Sequence, residues 1–192
     1  MSEPLAPFKI CSAMLENRGI GLGCKIPWPP IKKDFEHFMQ LTQGSFESGK
    51  KVVCIKGRTT FQNTGEEEKA RPNIIKIVIS TTLSELPEGA DFLVRDFNEA
   101  HATASRLYNE GVISDIWVNG GQTVFESAVE SPYCAEIHLT EINLTMEVNR
   151  FFPKFASHYS AQSDDDFYNT TVEDGGLTYQ FKLYRRLPQY SP

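Results

Sequence analysis

Asp34 stands where an apolar residue would be expected. At about 100° per residue, a helix from Ile31 to Thr42 brings Ile31, Phe35, Phe38, Leu41 and Thr42 onto one face. Lys32, Lys33, Glu36, His37 and Gln40 fall on the other. Asp34 lies on the apolar face, within about 60° of both Ile31 and Phe38. A carboxylate there has to be paired, hydrogen-bonded or shifted in pKa. Two readings are open. Asp34 is either a first-turn acid that interacts with the helix dipole and reaches solvent, or a carboxylate at the floor of an apolar cleft, placed to bind a cationic or amidine-like group through both oxygens. Pro29 and Pro30 suit the start of this helix, because proline is tolerated in the first turn.

Glycine-rich segments point to a second kind of chemistry. Gly19, Gly21 and Gly23 alternate in the stretch Gly19 to Lys25, permitting positive φ and close backbone approach to a ligand. The run does not open directly into a helix, so it is no Rossmann fingerprint, and a plain surface loop is the alternative. Trp28, between Pro27 and Pro29, is placed to close over a site. Lys56-Gly57-Arg58-Thr59-Thr60-Phe61 leaves an apolar run and enters a short helical turn, while Asn119-Gly120-Gly121-Gln122-Thr123 leaves another and opens a helix. Backbone N–H groups at such starts attract phosphate. Two of them, after different strands of one sheet, would converge at the strands' carboxyl ends, where ligands bind in α/β folds.

The elements that must hold these residues are legible as strand-length apolar runs: Phe8 to Leu15, Lys51 to Ile55, Ile74 to Ser80, Asp91 to Val94, Asp115 to Val118 and Ala135 to Thr140. Helical patterns at Ile31 to Thr42, Phe97 to Asn109 and Thr123 to Val129 alternate with them. The pattern predicts a single α/β domain over 1–192, with a core at about 8–187 and a central, mostly parallel sheet flanked by helices. Phe167 to Val172 and Leu177 to Leu187, separated by Asp174-Gly175-Gly176, predict an antiparallel C-terminal hairpin at the sheet edge. Glu66-Glu67-Glu68 reads as a solvated loop.

Composition narrows the function. The 192 residues are 40% hydrophobic and 23% charged, ordinary for a globular chain. A net charge of −6 argues against an extended basic face for nucleic acid or membrane, but not against a local site for a phosphorylated small molecule. No apolar run approaches a membrane span, and Met1 to Pro7 has neither a basic nor an apolar segment of a secretory signal. Cys11, Cys24, Cys54 and Cys134 are scattered, with no metal-ligand spacing to histidine, so reduced thiols, a cytoplasmic setting and no metal are expected.

In this order the motifs resemble the dihydrofolate reductase family over Phe8 to Arg186. The resemblance is carried by Gly19-Ile20-Gly21, Ile26-Pro27-Trp28 with Asp34 six residues on, Gly57-Arg58-x-Thr60-Phe61, Ile79-Ser80, Gly120-Gly121, Leu139-Thr140-Glu141, Phe151-Phe152-Pro153 and Tyr179-x-Phe181. It implies NADPH-dependent reduction of 7,8-dihydrofolate to tetrahydrofolate, with hydride passing to pterin C6 and a proton to N5. By resemblance Asp34 accepts hydrogen bonds from the pterin 2-amino group and N3, Thr140 orients Asp34, and Trp28 holds a water beside it. The carboxylate favours N5 protonation from water without reaching N5. Cys11, Ser12 and Ala13 would line the pterin and nicotinamide, with Ile26, Phe35, Phe38, Asn63, Asn119 and Phe125 completing the substrate site. Ala13 and the loop residues Ile20, Gly21, Leu22, Gly23 and Lys25 would lie at the cofactor. Gly57, Arg58, Thr59, Thr60, Gly120, Gly121, Gln122, Thr123 and Val124 would hold its phosphates and neighbouring groups, with Ser80, Thr81, Arg58 and Arg95 at a 2′-phosphate.

Three positions depart from the family pattern. Ile74 falls where an arginine usually clamps the substrate's glutamate; Arg71 and Lys76 are the neighbouring cations, so the loop is shortened or the clamp is lost. Thr81 replaces a frequent arginine, leaving Arg58 and Arg95 as the charge, and Asn119 replaces an apolar residue at the pterin edge. A reductase of the riboflavin pathway and a non-catalytic folate- or nucleotide-binding module are the alternatives; the first gives no reason for Asp34 beside Phe35 and Phe38. A monomer is expected, with no nucleic-acid or membrane partner and no fused second enzyme after Pro192.

Overall fold

The computed structural model describes residues 3–44 and 48–192. Met1 and Ser2, part of the N-terminal stretch read for a signal, lie outside the described residues. The elements run β1 (Phe8–Leu15), β2 (Gly19–Gly21), α1 (Lys32–Leu41), β3 (Lys51–Gly57), α2 (Arg58–Gln62), α3 (Glu66–Lys69), β4 (Ile74–Ile79), β5 (Phe92–Val94), α4 (Phe97–Asn109), β6 (Ile113–Val118), α5 (Gln122–Glu130), β7 (Cys134–Ile142), β8 (Arg150–Phe151), β9 (Tyr159–Ala161), β10 (Thr171–Asp174) and β11 (Leu177–Arg186). Among the described residues, nine strands form one sheet in the order β10-β11-β7-β1-β6-β3-β4-β5, with β9 pairing β11. The pairs from β7 to β5 are all parallel. β11 joins β7 antiparallel and carries β10 as a hairpin. The expected α/β domain with its antiparallel hairpin edge is therefore what the chain forms.

The hairpin turns where the glycines predict. Asp174 is in register with Leu177, and Gly175 and Gly176 take φ of 60° and 78° between them, left-handed values that suit a two-residue turn. Its first arm begins later than the sequence pattern indicates. Asp165 accepts a hydrogen bond from the Phe167 backbone N–H and starts a 3₁₀ turn over Asp166–Asn169, so β10 begins only at Thr171. Phe167 instead stacks on Phe181, with ring centroids 5.1 Å apart. The glutamate run is likewise no loop: it forms α3, with Glu68 turned inward on Lys56.

Two faces of the sheet are covered differently. Helices α4 and α5 bury Ala100, Ala104, Leu107, Val124, Phe125, Ala128 and Val129 against Phe8, Ile10, Val53, Ile55 and Val118 in the main core. Helix α1 contributes no fully buried residue. Ile31, just before it, joins Leu15, Trp28, Ile142, Tyr179 and Phe181, while Leu41 packs partly on Val52, Cys54, Ile74 and Trp117. Its apolar stripe is thus only partly used by the protein. His37, placed by periodicity on the polar face, is half-buried: its ring lies 4.2 Å from Phe181 and 5.2 Å from Phe167, because the hairpin covers that flank of α1. Burial and the neighbouring His138 hold its imidazole down at about 4.

Candidate active site

The C-terminal halves of β1 and β3 and the residues at the ends of β4 and β6 open into a cleft of about 1440 Å³, whose walls also include α1, α2, β2 and β8. This is where a parallel sheet places its ligands. The two glycine segments meet there. Gly57 N–H donates to the Gly120 carbonyl at 2.8 Å. A Cβ on Gly121 would stand 3.1 Å from Thr60 Oγ1, and Gly120 has φ of 122°, which a side chain would strain. Bare backbone at two strand ends therefore faces the cleft together. Lys25, Lys32, Lys56, Arg58 and Arg150 line it against two carboxylates, Asp34 and Glu68, so this region is cationic although the chain carries −6. Exposed apolar side chains share the lining: Ile26 at 66%, Phe35 at 39% and Phe151 at 37%. Such a grouping marks a ligand surface with an apolar, aromatic part.

Asp34 sits at the inner end. Thr140 Oγ1 donates to its Oδ1 at 2.6 Å, the short distance of a hydroxyl bonded to an ionised acid. Thr140 is placed by β7, where it lies in register with Ala13 of β1 and Phe181 of β11. Burial pushes the Asp34 carboxyl above the usual carboxylate range, and the Thr140 bond opposes that shift. Among the described residues no Lys, Arg or His forms an ion pair with Asp34. The solvent-reaching reading of Asp34 is set aside. What remains is a carboxylate with unused acceptor capacity beside Phe35 and Phe38, complementary to a flat ligand with paired N–H donors. Cys11, also in the lining, has its thiol pushed up by burial and by Asp34, which makes it an inert wall.

Most residues singled out by sequence line this cleft; among those that do not are Gly19, Leu22, Arg71, Lys76, Arg95 and Thr140. Leu22 pairs its backbone with Lys25 in a turn whose Gly23 has φ of 60° and donates to Asn149 Oδ1. Gly19 and Gly21 pair with β8, so the glycine run is a small sheet and a tight turn, not a plain loop. Arg71 is buried and donates to Thr42 Oγ1 at 2.8 Å and the Met39 carbonyl at 3.2 Å, at the end of α1. Lys76 donates to the carbonyls of Arg71 and Ile74. Arg95 donates to the carbonyls of Ser80 and Leu83 and so shapes the turn holding Ser80 and Thr81. Trp28 lines the cleft and packs among Leu15, Ile31 and Ile142, an anchor beside Asp34's helix. Asn119 has both side-chain amide atoms buried without a partner among the described residues.

A family model described as dihydrofolate reductase matches residues 8–186. The chain belongs to the dihydrofolate reductase family. Related dihydrofolate reductases include that of Aedes albopictus, 30% identical over 186 residues that span 95% of this chain and 98% of its own. That of Sus scrofa is 29% identical over 182 residues, or 94% of this chain and 98% of its own. Among solved structures, Schistosoma mansoni dihydrofolate reductase aligns with a TM-score of 0.78 at 28% identity, covering 96% of this chain and 100% of that one. The riboflavin-pathway alternative is set aside by this membership. The family is one of oxidoreductases, and NADPH use is general to it.

Several lining residues are not visible in the motif pattern. Thr64 and Glu68 form one wall with Lys56, the first residue of the Lys56 to Phe61 segment, and Asn149 and Arg150 reach the cleft from β8 and its approach. A lysine ending an otherwise apolar run was the available signal for the first group. For Arg150 the signal was its place next to Phe151-Phe152-Pro153.

Proposed function

We propose that this chain reduces 7,8-dihydrofolate to 5,6,7,8-tetrahydrofolate with NADPH as reductant, acting as a cytoplasmic monomer without nucleic-acid or membrane partners. Among the described residues no helix is long and apolar enough to cross a membrane. The observation that carries the reading is the Asp34 carboxylate, half-buried, bonded to Thr140 at 2.6 Å and, among the described residues, unpaired with any cation. A pterin ring presents its 2-amino group and N3–H side by side, and two charge-assisted bonds to one carboxylate satisfy both partners. Phe35 and Phe38 pack on the ligand's rings. The Asp34 charge favours protonation of N5 from water, which completes the reduction when C6 is reduced.

The residues present fit an anionic dinucleotide. The Gly57–Gly120 contact and the crowding of a Cβ at Gly121 leave backbone N–H groups free of side chains, and Arg58, Thr59, Ser80 and Thr81 stand at the adjoining strand ends. Gly57, Arg58, Thr59, Thr60 and Gly120 to Val124 would hold the cofactor, with Ala13, Ile20, Gly21, Gly23 and Lys25 nearer its reacting end. NADPH, when bound, supplies the hydride for pterin C6. Arg71, its guanidinium fixed against α1 with donors to spare, is assigned to the substrate's glutamate carboxylate.

NADPH absorbance with dihydrofolate tests the reading. Asp34→Asn is expected to lower turnover by about 10²–10⁴-fold with NADPH affinity nearly intact. Absence of NADPH consumption by the unmodified protein, or an Asp34→Asn variant of undiminished activity, would overturn it.

A further inference from the structure

Lys56 is a buried cation in the cleft wall, 7% exposed, which is unusual for lysine. It projects from the end of β3 on the face that Cys54 shares. Its ammonium donates to Glu68 Oε1 of α3 and to Thr64 Oγ1 at 3.1 Å, and lies 5.9 Å from the Phe38 ring centroid. Thr64 passes its own proton to the Thr60 carbonyl at 3.0 Å, so its hydroxyl faces Lys56 as an acceptor. An ammonium has three donors. Two meet protein partners, and Lys56, Thr64, Glu68 and Phe38 all line the cleft.

We infer that Lys56 is a specificity-determining residue of this cleft: its third N–H serves a neutral carbonyl oxygen in the ligand's middle segment, beside the ring that Phe38 receives. The inference rests on the proposed reading of the cleft. The charge of the wall decides the class of acceptor. The ammonium is already balanced by Glu68, so a carboxylate approaching Lys56 also approaches a like charge. A carbonyl dipole gains the donor without that repulsion. The aryl amide that joins the benzoyl ring of dihydrofolate to its glutamate has this group. The same wall selects against ligands with a purely apolar middle segment, because covering an ion pair without replacing its water costs free energy.

The two effects have opposite signs, which makes the test sharp. Lys56→Met keeps most of the length of the unbranched side chain and removes all three donors. The comparison uses dihydrofolate against a dihydropterin truncated before the aryl ring. The ratio of their kcat/KM values is expected to fall about tenfold in the variant, the worth of one charge-assisted hydrogen bond, with the loss in KM for dihydrofolate. A 2,4-diaminopyrimidine inhibitor with an alkyl-aryl tail and no carbonyl is expected to bind several-fold tighter to Lys56→Met. Because Lys56→Met leaves Glu68 without a partner, Lys56→Met/Glu68→Gln is measured alongside and is expected to show the same two shifts; circular dichroism and NADPH titration verify its fold. An unchanged substrate ratio, or an inhibitor shift in the same direction as the substrate, overturns the assignment. If the unmodified protein turns over neither substrate, the proposed function has failed instead.

Discussion

Thr140→Val isolates the Asp34–Thr140 hydrogen bond. Valine keeps the β-branched shape between Ala13 and Phe181 and deletes the hydroxyl that donates to Asp34 at 2.6 Å. A hydrogen bond to a charged group is worth about 1.5–3 kcal/mol, or one to two decades of kcat/KM if the ionised acid binds substrate. The pH profile carries the sign. Burial already raises the Asp34 carboxyl and the Thr140 bond lowers it, so removing the bond moves it further up. Ionised Asp34 then appears only at higher pH. The acid limb of kcat/KM for dihydrofolate is expected to move upward. Stopped or continuous NADPH absorbance between pH 5 and about 9 reads both quantities. Thr140→Ser, which restores the donor, is expected to recover most of the loss. A Thr140→Val enzyme within threefold of the parent and with an unmoved acid limb would refute the claim that the hydroxyl sets the state of Asp34.

Two further outcomes follow from other parts of the molecule. Gly120→Ala places a side chain at φ of 122°, with its Cβ 3.4 Å from Thr60 Cγ2; a loss of about 1–3 kcal/mol in stability and weaker NADPH binding are expected, read by urea unfolding and fluorescence titration, and unchanged values in both would remove the glycine argument. Glu136 is held at about 2, first by its hydrogen bond with His138 and then by Arg185, against the effect of burial. Its stabilisation is present above the ordinary carboxylate value and is lost as pH falls from about 4.5 towards about 2, on the order of 2–3 kcal/mol. Glu136→Gln should flatten that acid limb in urea unfolding; an equally steep limb would assign it elsewhere.

The parallel sheet was readable because its strands are short β-branched runs whose type survives any tertiary context. Asp34 was readable because a charge on an apolar helical face has few explanations. Periodicity failed where packing came from elements distant in sequence. His37 looks polar on its own helix, yet Phe167 from the 3₁₀ turn and Phe181 from β11 cover it. Glu68 looks solvated in a run of glutamates, yet Lys56 at the end of β3 draws it inward. The short strands Gly19–Gly21 and Arg150–Phe151 define each other across the chain, and neither has a signal of its own. Arg71 matched no motif register, but the turn after α3 brings it to the end of α1.

The position of β11 has a consequence for how the protein is made. Residues 177–186 lie between β10 and β7, and β7 lies against β1, so early and late segments of the chain are adjacent in the sheet. Such distant pairings close slowly. Until β11 docks, β7 has an open edge, from Glu136 to Ile142, with its backbone donors and acceptors unpaired and available to another chain. The threonine that holds Asp34 is on that edge, opposite Phe181. Docking of β11 therefore both backs the strand that carries Thr140 and closes the exposed edge. A chain short of this strand leaves the β7 edge open to pairing with another copy.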